Sequence, residues 1–392
     1  MSKTITTLQL IATRKIKQHK NPMYREKGVS LQTKPHTMTR KDFEIMAPVG
    51  SRESLAAAIK AGADSIYFGI ENLNMRAHSA STFTIDDLKE MAQTCAAHGI
   101  KSYLTVNTII YGEDLPLMRT IIDAAKEADI SAVIASDVAV MMYCRQIGQE
   151  VHLSTQLNIS NIEALKFYAQ FADVVVSARE LNMTQVADIH RQIEEQRICG
   201  PGGELIRIEM FCHGALCMAV SGKCYLSLDN TGRSANRGAC MQICRRGYIV
   251  KDRETGTELE IDNKYIMSPK DLKTVRFIDR MMEAGVRVFK IEGRARGPEY
   301  VATVVGCYQE ATKRVGRDVH RREKRRMGRA VGPRVQPWFL GRVLPGTDFR
   351  RMDDELRFGR HGKKGLRGQG HQILFQTWRG RVPNRSGGHE RG

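Results

Sequence analysis

Long apolar runs are missing from this sequence. No stretch of 18 or more apolar residues occurs in its 392 residues, which excludes an ordinary transmembrane helix. At the N-terminus only Leu8–Ala12 is apolar, and basic residues follow. That is short of the apolar core and cleavage site of a secretory signal, so a cytoplasmic protein is expected. The metalloprotease pattern HExxH is lacking, and the eleven histidines stand apart from one another. A GxSxG nucleophile elbow is lacking too, which removes the common serine-hydrolase arrangement. No glycine-rich fingerprint follows the first strand-like run; Ala47-Pro48-Val49-Gly50-Ser51 reads as a bare turn, against a dinucleotide-binding fold. The absence of a CxxC pair argues against an ordinary zinc ribbon.

What is present reads as globular: 42% hydrophobic and 27% charged residues, in a length suited to one large domain with appendages or two ordinary domains. The net charge of +18 suggests a nucleic-acid binder until it is located. Residues 1–42 carry +8 and residues 313–392 carry +15, leaving −5 for residues 43–312. The basic ends are therefore read apart from the body. Residues 1–42 form a basic extension without sustained hydrophobic period, expected to be disordered, with Met38 as an alternative start. Residues 313–392 are Arg- and Gly-rich and lose periodicity. They read either as a basic tail binding RNA or acidic surfaces, or as the product of a reading-frame shift, which is the favoured reading.

Between the ends one pattern repeats: a short β-rich run, a polar corner, an amphipathic helix. The runs are Phe43–Pro48, Ser65–Ile70, Lys101–Thr108, Ala132–Asp137, Val151–Leu157, Val174–Arg179, Ile206–Cys212 and Val286–Glu292. Helix-period stretches fall at Ser54–Ala61, Ile85–His98, Leu115–Ala128, Ala139–Ile147, Ile162–Phe171 and Met183–Glu195, with Thr84 as one cap and Gly62, Gly99 and Gly285 as stops. Eight runs in alternation favour an α/β fold, a (β/α)8 TIM-like barrel, over an open doubly wound sheet. The last unit is interrupted by a cysteine-rich insert, residues 212–285. It is expected to hold a small β excursion (Tyr248–Val250, Glu258–Ile261) and a helix from Ser268 or Asp271 towards Ala284.

The insert carries the chemistry. Five of the nine cysteines fall between Cys212 and Cys244, and Cys217, Cys224, Cys240 and Cys244 are spaced C-x6-C-x15-C-x3-C. Four thiolates complete the shell of a zinc ion or of an iron–sulfur cluster, and spacing alone does not choose between them. Buried cysteines acting as small hydrophobes are the plainer alternative. Lys223, Arg237, Arg245 and Arg246 would offset the charge of a cluster. Cys212 and His213 are neighbours on a strand and point to opposite faces, so they do not act together; His213 reads better as a packing residue. A cysteine protease would need Cys212 or Cys217 with a distant histidine, His152 or His78. Barrel logic gathers polar residues at the strand C-termini: Ser51, Arg52, Asn107, Gln156, Asn158, Arg179, Glu180, His213, Glu292 and Arg294. Of these, Arg179 and Arg294 suit a carboxylate, and Asn107, Gln156 and Asn158 suit a polar substrate.

Glu209–Ser227 resembles the hallmark motif of peptidase family U32, the collagenase-like proteases, and the likeness extends through Arg233–Arg245 and residues 43–312. The resemblance implies a barrel enzyme that hydrolyses collagen or gelatin with the help of a metal or thiols. Other members look like oxygen-independent hydroxylases acting on tRNA or rRNA bases or ubiquinone precursors. Those carry a [4Fe-4S] cluster on four cysteines, matched here by Cys217, Cys224, Cys240 and Cys244, and the RNA-modifying ones are linked to prephenate. Family members continue with an ordered helical region after the equivalent of Glu310, whereas periodicity here fades by Arg314. Three functions are weighed: collagenase-like peptidase; iron–sulfur hydroxylase of tRNA or rRNA, which suits the rim residues better; and an RNA-binding module with a structural metal.

Overall fold

Eight parallel strands close on themselves in this computed structural model, which describes residues 39–77, 83–261 and 267–314. The barrel strands are β1 (Glu44–Pro48), β2 (Ser65–Phe68), β3 (Lys101–Val106), β4 (Ala132–Ala135), β5 (Val151–Leu153), β6 (Val174–Val176), β7 (Arg207–Gly214) and, after the insert, β11 (Val286–Ile291). Each pairs with the next, β6 with β7, β7 with β11 and β11 with β1, so no barrel edge is left open. The helices between them are α1 (Arg52–Lys60), α2 (Asp87–Ala97), α3 (Leu115–Glu127), α4 (Val138–Ile147), α5 (Ile162–Tyr168) and α6 (Met183–Gln196). The insert holds α7 (Leu226–Thr231), the hairpin β8 (Tyr248–Lys251) and β9 (Glu258–Ile261), β10 (Leu272–Lys273) and α8 (Ile278–Glu283); α9 (Pro298–Thr312) follows the last strand. No helix among the described residues is long and apolar enough to cross a membrane.

Local chemistry explains where the helices lie. In α3, Pro116 sits in the first turn, and Met118, Ile121, Ile122 and Ala125 form one buried stripe at helical spacing. In α6, Asn182 and Gln185 exchange side-chain-to-backbone bonds of 2.9 Å in a capping box. Gly62, Gly99 and Gly285 all take positive φ at helix ends, as the sequence implies.

Three expectations are corrected. Thr84 does not cap α2; from the turn before the helix its N–H and hydroxyl donate to the carboxylate of Asp87, the first residue of α2. The stretch from Asp271 opens as a strand, because the Thr274 N–H and hydroxyl both donate to the Cys212 carbonyl and hold β10 beside β7. The helix begins only at Ile278. After the last strand, Gly297 precedes α9, which has proline in its first turn. Thr39–Asp42 belong to the folded body: Arg40 donates to Asp64 and to Gln309 of α9, at 2.5 and 2.7 Å. The remainder of the N-terminal extension, and the tail beyond Arg314, lie outside the described residues.

The barrel interior is polar at both ends with an apolar layer between. At the N-terminal end the buried Glu44 accepts from Tyr103 Oη at 2.8 Å and faces Arg207 at 3.3 Å and Lys101 at 3.6 Å. Burial pushes this carboxyl up, but Arg207, Lys101 and His152 outweigh it and hold it below the usual range. Met46, Tyr67, Tyr103, Ile134, Val174 and Val288 pack the middle. Above them Lys290 donates to Glu209 at 2.8 Å, both side chains buried, with the ammonium 4.6 Å from the Tyr67 ring centre. Replacing Lys290 by methionine is expected to cost ~3–5 kcal/mol, because Glu209 is then buried without a counter-ion. Lys290→Met combined with Glu209→Leu should recover most of that loss. Urea midpoints measure both differences, and equal stability of the single and double variants would sink the account.

Candidate functional site

The C-terminal mouth of the barrel and the underside of the insert enclose a cavity of about 140 Å³. From the barrel come Tyr67, Arg76, Thr105, Asn107, Gln156, Arg179, Phe211, Lys290, Glu292 and Arg294; from the insert come Cys217, Cys224, Cys240 and Cys244. The insert is strapped to the rim at several points. Asn158 Nδ2 donates to the Ser221 carbonyl at 3.0 Å. Arg237 bonds the Asp114 carboxylate and the Ile109 carbonyl and stacks 4.2 Å over the Tyr111 ring. Arg245 reaches Asp271 at 2.7 Å, and Asp271 also receives Arg296 at 3.2 Å. At Gly238, φ is +85°, and an added Cβ would lie 2.6 Å from the Asn74 carbonyl oxygen. Only glycine allows the chain carrying Cys240 to lie so close to the loop after β2.

The four cysteines share one neighbourhood. Burial pushes the Cys244 thiol up, Arg245 opposes this, and Cys240, Cys217 and Cys224 each raise it further. Among the described residues no group of three or more His, Cys, Asp or Glu is gathered tightly enough to hold a metal ion. Zinc draws its sulfurs to about 2.3 Å. The thiols here stand around a cavity and not on a point.

The charged wall is built around Glu292. Arg76 Nη2 donates to Glu292 Oε1 at 3.0 Å, and Tyr67 Oη lies 3.4 Å from Oε2. Burial would raise this carboxyl, but Arg76, Arg294 and Arg179 keep it below the usual carboxylate range. Arg294 is buried and spends one nitrogen on Asn74 Oδ1 (3.1 Å) and Thr105 Oγ1 (2.8 Å). Arg179 stacks 4.3 Å over Phe211, and its Nε and Nη1 are buried without a hydrogen-bond partner. A guanidinium left so is suited to an anion that completes its bonding.

Of the residues singled out from the sequence, Asn107, Gln156, Arg179, Glu292, Arg294 and the four cysteines meet at this cavity. Asn107 Nδ2 donates to Ser154 Oγ at 3.3 Å, and the Ser154 hydroxyl donates to Gln156 Oε1 at 2.9 Å, so the two amides are linked. Asn158 stands behind them as a strap. His213 is buried away from the cavity between Tyr300 and Tyr308. Ser51 caps α1, and Arg52 pairs with Asp87 and Glu90 on the outside. Arg237, expected to offset thiolate charge, is committed to Asp114 instead.

The cysteine–histidine pairings do not form among the described residues. Cys212 is fully buried, which pushes its thiol well up. His152 lies deep in the barrel against Tyr103 and Glu150, and His78 lies outside the described residues. Sequence reasoning missed Arg76, Tyr67 and Lys290. Strand alternation points to Lys290, which shares the inward face of β11 with Glu292. Nothing periodic marks Arg76, which sits in an irregular loop.

The sequence is similar to proteins already described. The sequence model of peptidase family U32 matches residues 50–341. A collagenase of Porphyromonas gingivalis (strain W83) is 72% identical over 274 residues, 70% of this chain and 66% of that protein. The tRNA hydroxylation protein P1 of Bacillus subtilis is 35% identical over 69% of this chain and 63% of its own length. The 23S rRNA 5-hydroxycytidine C2501 synthase of Escherichia coli is 33% identical over 78% of this chain and 44% of its own length. The chain thus spans less than two thirds of the length of each of these relatives.

Burial pushes the His213 ring down from 6.5 to about 4, so the folded protein keeps it neutral at neutral pH. The unfolded chain takes up this proton near 6.5 and the folded one only near 4. Stability is therefore expected to fall as pH drops through that window, by about 3 kcal/mol for this group. Unfolding free energies of the unsubstituted protein and His213→Phe at pH 7 and pH 4.5 test this. The variant should lose less stability on acidification, and equal losses would show that the ring is not the cause.

Proposed function

The chain belongs to peptidase family U32, and from that premise we propose that it is a collagenase-like enzyme acting on a protein substrate at the cavity beneath the cysteine-rich insert. The observation that carries this reading is the 72% identity, over 274 residues, to a protein named collagenase. Peptide hydrolysis there would draw on a thiol. Cys217 is the exposed member of the four. Glu292, held ionised by its arginines, is the carboxylate available to orient a water molecule. The unpartnered nitrogens of Arg179 would serve a developing oxyanion or a substrate carboxylate.

A second reading, oxygen-independent hydroxylation of a tRNA or rRNA base, is favoured by the four thiols around one cavity with no histidine among the described residues that line it. The fit to an iron–sulfur cluster is good: the donors are soft thiols, they surround a space, and cationic side chains face them. A cluster bound by Cys217, Cys224, Cys240 and Cys244 would supply one-electron chemistry. Around it, Arg179 and Arg294 would hold the carboxylates of a co-substrate such as prephenate, and Asn107 and Gln156 would present amides to the polar edge of a base. The third reading, RNA binding through a basic tail, falls on residues outside those described.

Anaerobic purification followed by absorbance spectroscopy, iron and sulfide analysis, and a gelatin-cleavage assay separates the readings. The peptidase reading expects gelatin cleavage to survive rigorous purification and to fall at least tenfold in Arg179→Met. The hydroxylase reading expects a broad near-visible band with iron and sulfide, abolished in Cys217→Ala, and no cleavage by the purified protein. A colourless protein that cleaves gelatin removes the second reading; a coloured, inert one removes the first.

A further inference from the structure

We infer that Arg76 is the fixed countercharge of the four-thiol centre, and that Glu292 sets how much of that charge the centre feels. The inference rests on the iron–sulfur reading of the cavity and assigns roles that neither proposed activity requires.

Position is the first argument. Arg76 lies in the loop after β2, and that loop is packed directly on the insert. The Asn74 carbonyl and the Ala77 Cβ both press on Gly238, where an added Cβ would meet them at 2.6 and 3.0 Å. Gly238 is two residues before Cys240, so the arginine and this cysteine are carried by segments in contact. The Arg76 backbone is also pinned, its N–H donating to Asn74 Oδ1 at 3.1 Å. Asn74 Oδ1 receives Arg294 as well, which ties the loop to the segment after β11.

Charge is the second argument. Burial alone would weaken the hold of Arg76 on its proton, but Glu292 overcomes that, and Cys240 and Cys217 add to the effect. Arg237 is directed to Asp114 and Arg294 to Asn74 and Thr105, while Arg245, paired with Asp271, acts on Cys244 alone among the thiols named here. Arg179 lies over Phe211. Arg76 instead faces the thiols on one side and a single carboxylate, 3.0 Å away, on the other.

The consequence has a sign. A cluster on four thiolates is anionic and gains one further negative charge when reduced, so a fixed cation beside it favours the reduced state and raises its potential. The Glu292 carboxylate screens that cation. Removing Arg76 should lower the potential, and neutralising Glu292 should raise it. A side chain that only fills space would not move the potential in opposite directions at two neighbouring positions.

The test uses the full chain, purified anaerobically with its cluster in place, titrated with a reductant and followed by visible absorbance. Arg76→Met is expected to shift the midpoint downward by about 59 mV, a tenfold change in a one-electron equilibrium. Arg76→Lys should return most of that shift, and Glu292→Gln should move the midpoint upward. If Arg76→Met fails to fold, because the buried Glu292 then loses its ion-pair partner, Glu292→Gln decides alone: an upward shift supports the inference and an unmoved midpoint overturns it. A cluster-bearing protein whose midpoint ignores both substitutions overturns this inference and leaves the iron–sulfur reading standing. An unsubstituted chain without iron and sulfide overturns both.

Discussion

The ion pair between Lys290 and Glu209, 2.8 Å apart and sealed inside the barrel, is the contact on which the site stands. A buried pair of this kind adds little net stability, because desolvation offsets most of the attraction. Its structural effect is to fix what lies above it. Lys290 forms part of the cavity floor, and Glu209 lies in β7, the strand that runs into the insert. With the alternation of β11 set by Lys290 facing inward, Glu292 must face inward too, one step nearer the mouth. Glu292 then needs cations, and Arg76, Arg294 and Arg179 supply them from three separate loops. A single choice of strand face thus propagates into the charge pattern of the site.

Much of the scaffold was legible because it rests on local rules. Seven of the eight barrel strands fall within the runs that signalled them, β7 alone extending two residues past Cys212 to Gly214, and the six helices between the first seven strands fall within two residues of their expected starts. Periodicity and capping act over a few residues, so a single sequence displays them. The strand ends were overestimated where polar residues break the ladder. After Leu153, Ser154 begins a tight turn, and Asn158 takes positive φ, so the run expected to reach Leu157 leaves the sheet early. β10 was read as helix because its cause is remote: a threonine bonding the Cys212 carbonyl, 62 positions away.

The site was legible in its donors and illegible in its pairings. Cysteine spacing drew attention to the right four thiols, and the barrel rule gathered Asn107, Gln156, Arg179, Glu292 and Arg294 on one rim. Which arginine meets which carboxylate depends on side chains brought together across more than a hundred residues. Arg237 sits three positions before Cys240, and its charge was therefore assigned to the thiols. In the fold it turns outward to Asp114, while Arg76, more than 160 positions from Cys240, takes the place beside the cavity. Neighbours in sequence on a short-turned insert diverge in space, and a lid held at several points collects its partners from whichever loops it covers.

Bulk charge misleads in both directions. The chain is strongly basic overall, yet residues 43–312 are net acidic, and within that acidic body the cavity wall carries Arg76, Arg179, Lys290 and Arg294 against Glu292 alone. With Glu209 behind Lys290, the cationic excess still faces the thiols. Four arginines and lysines converging on a small, partly apolar space repel one another unless something negative sits among them, and the low dielectric of such a space sharpens that repulsion. An anionic group of the substrate would meet the requirement at the nitrogens of Arg179 that have no partner. A collagen-like peptide offers that group only as a side-chain or terminal carboxylate, whereas a nucleotide or a dicarboxylate carries it always. The charge of the wall thus bears more closely on which substrate enters than the charge of the whole chain does.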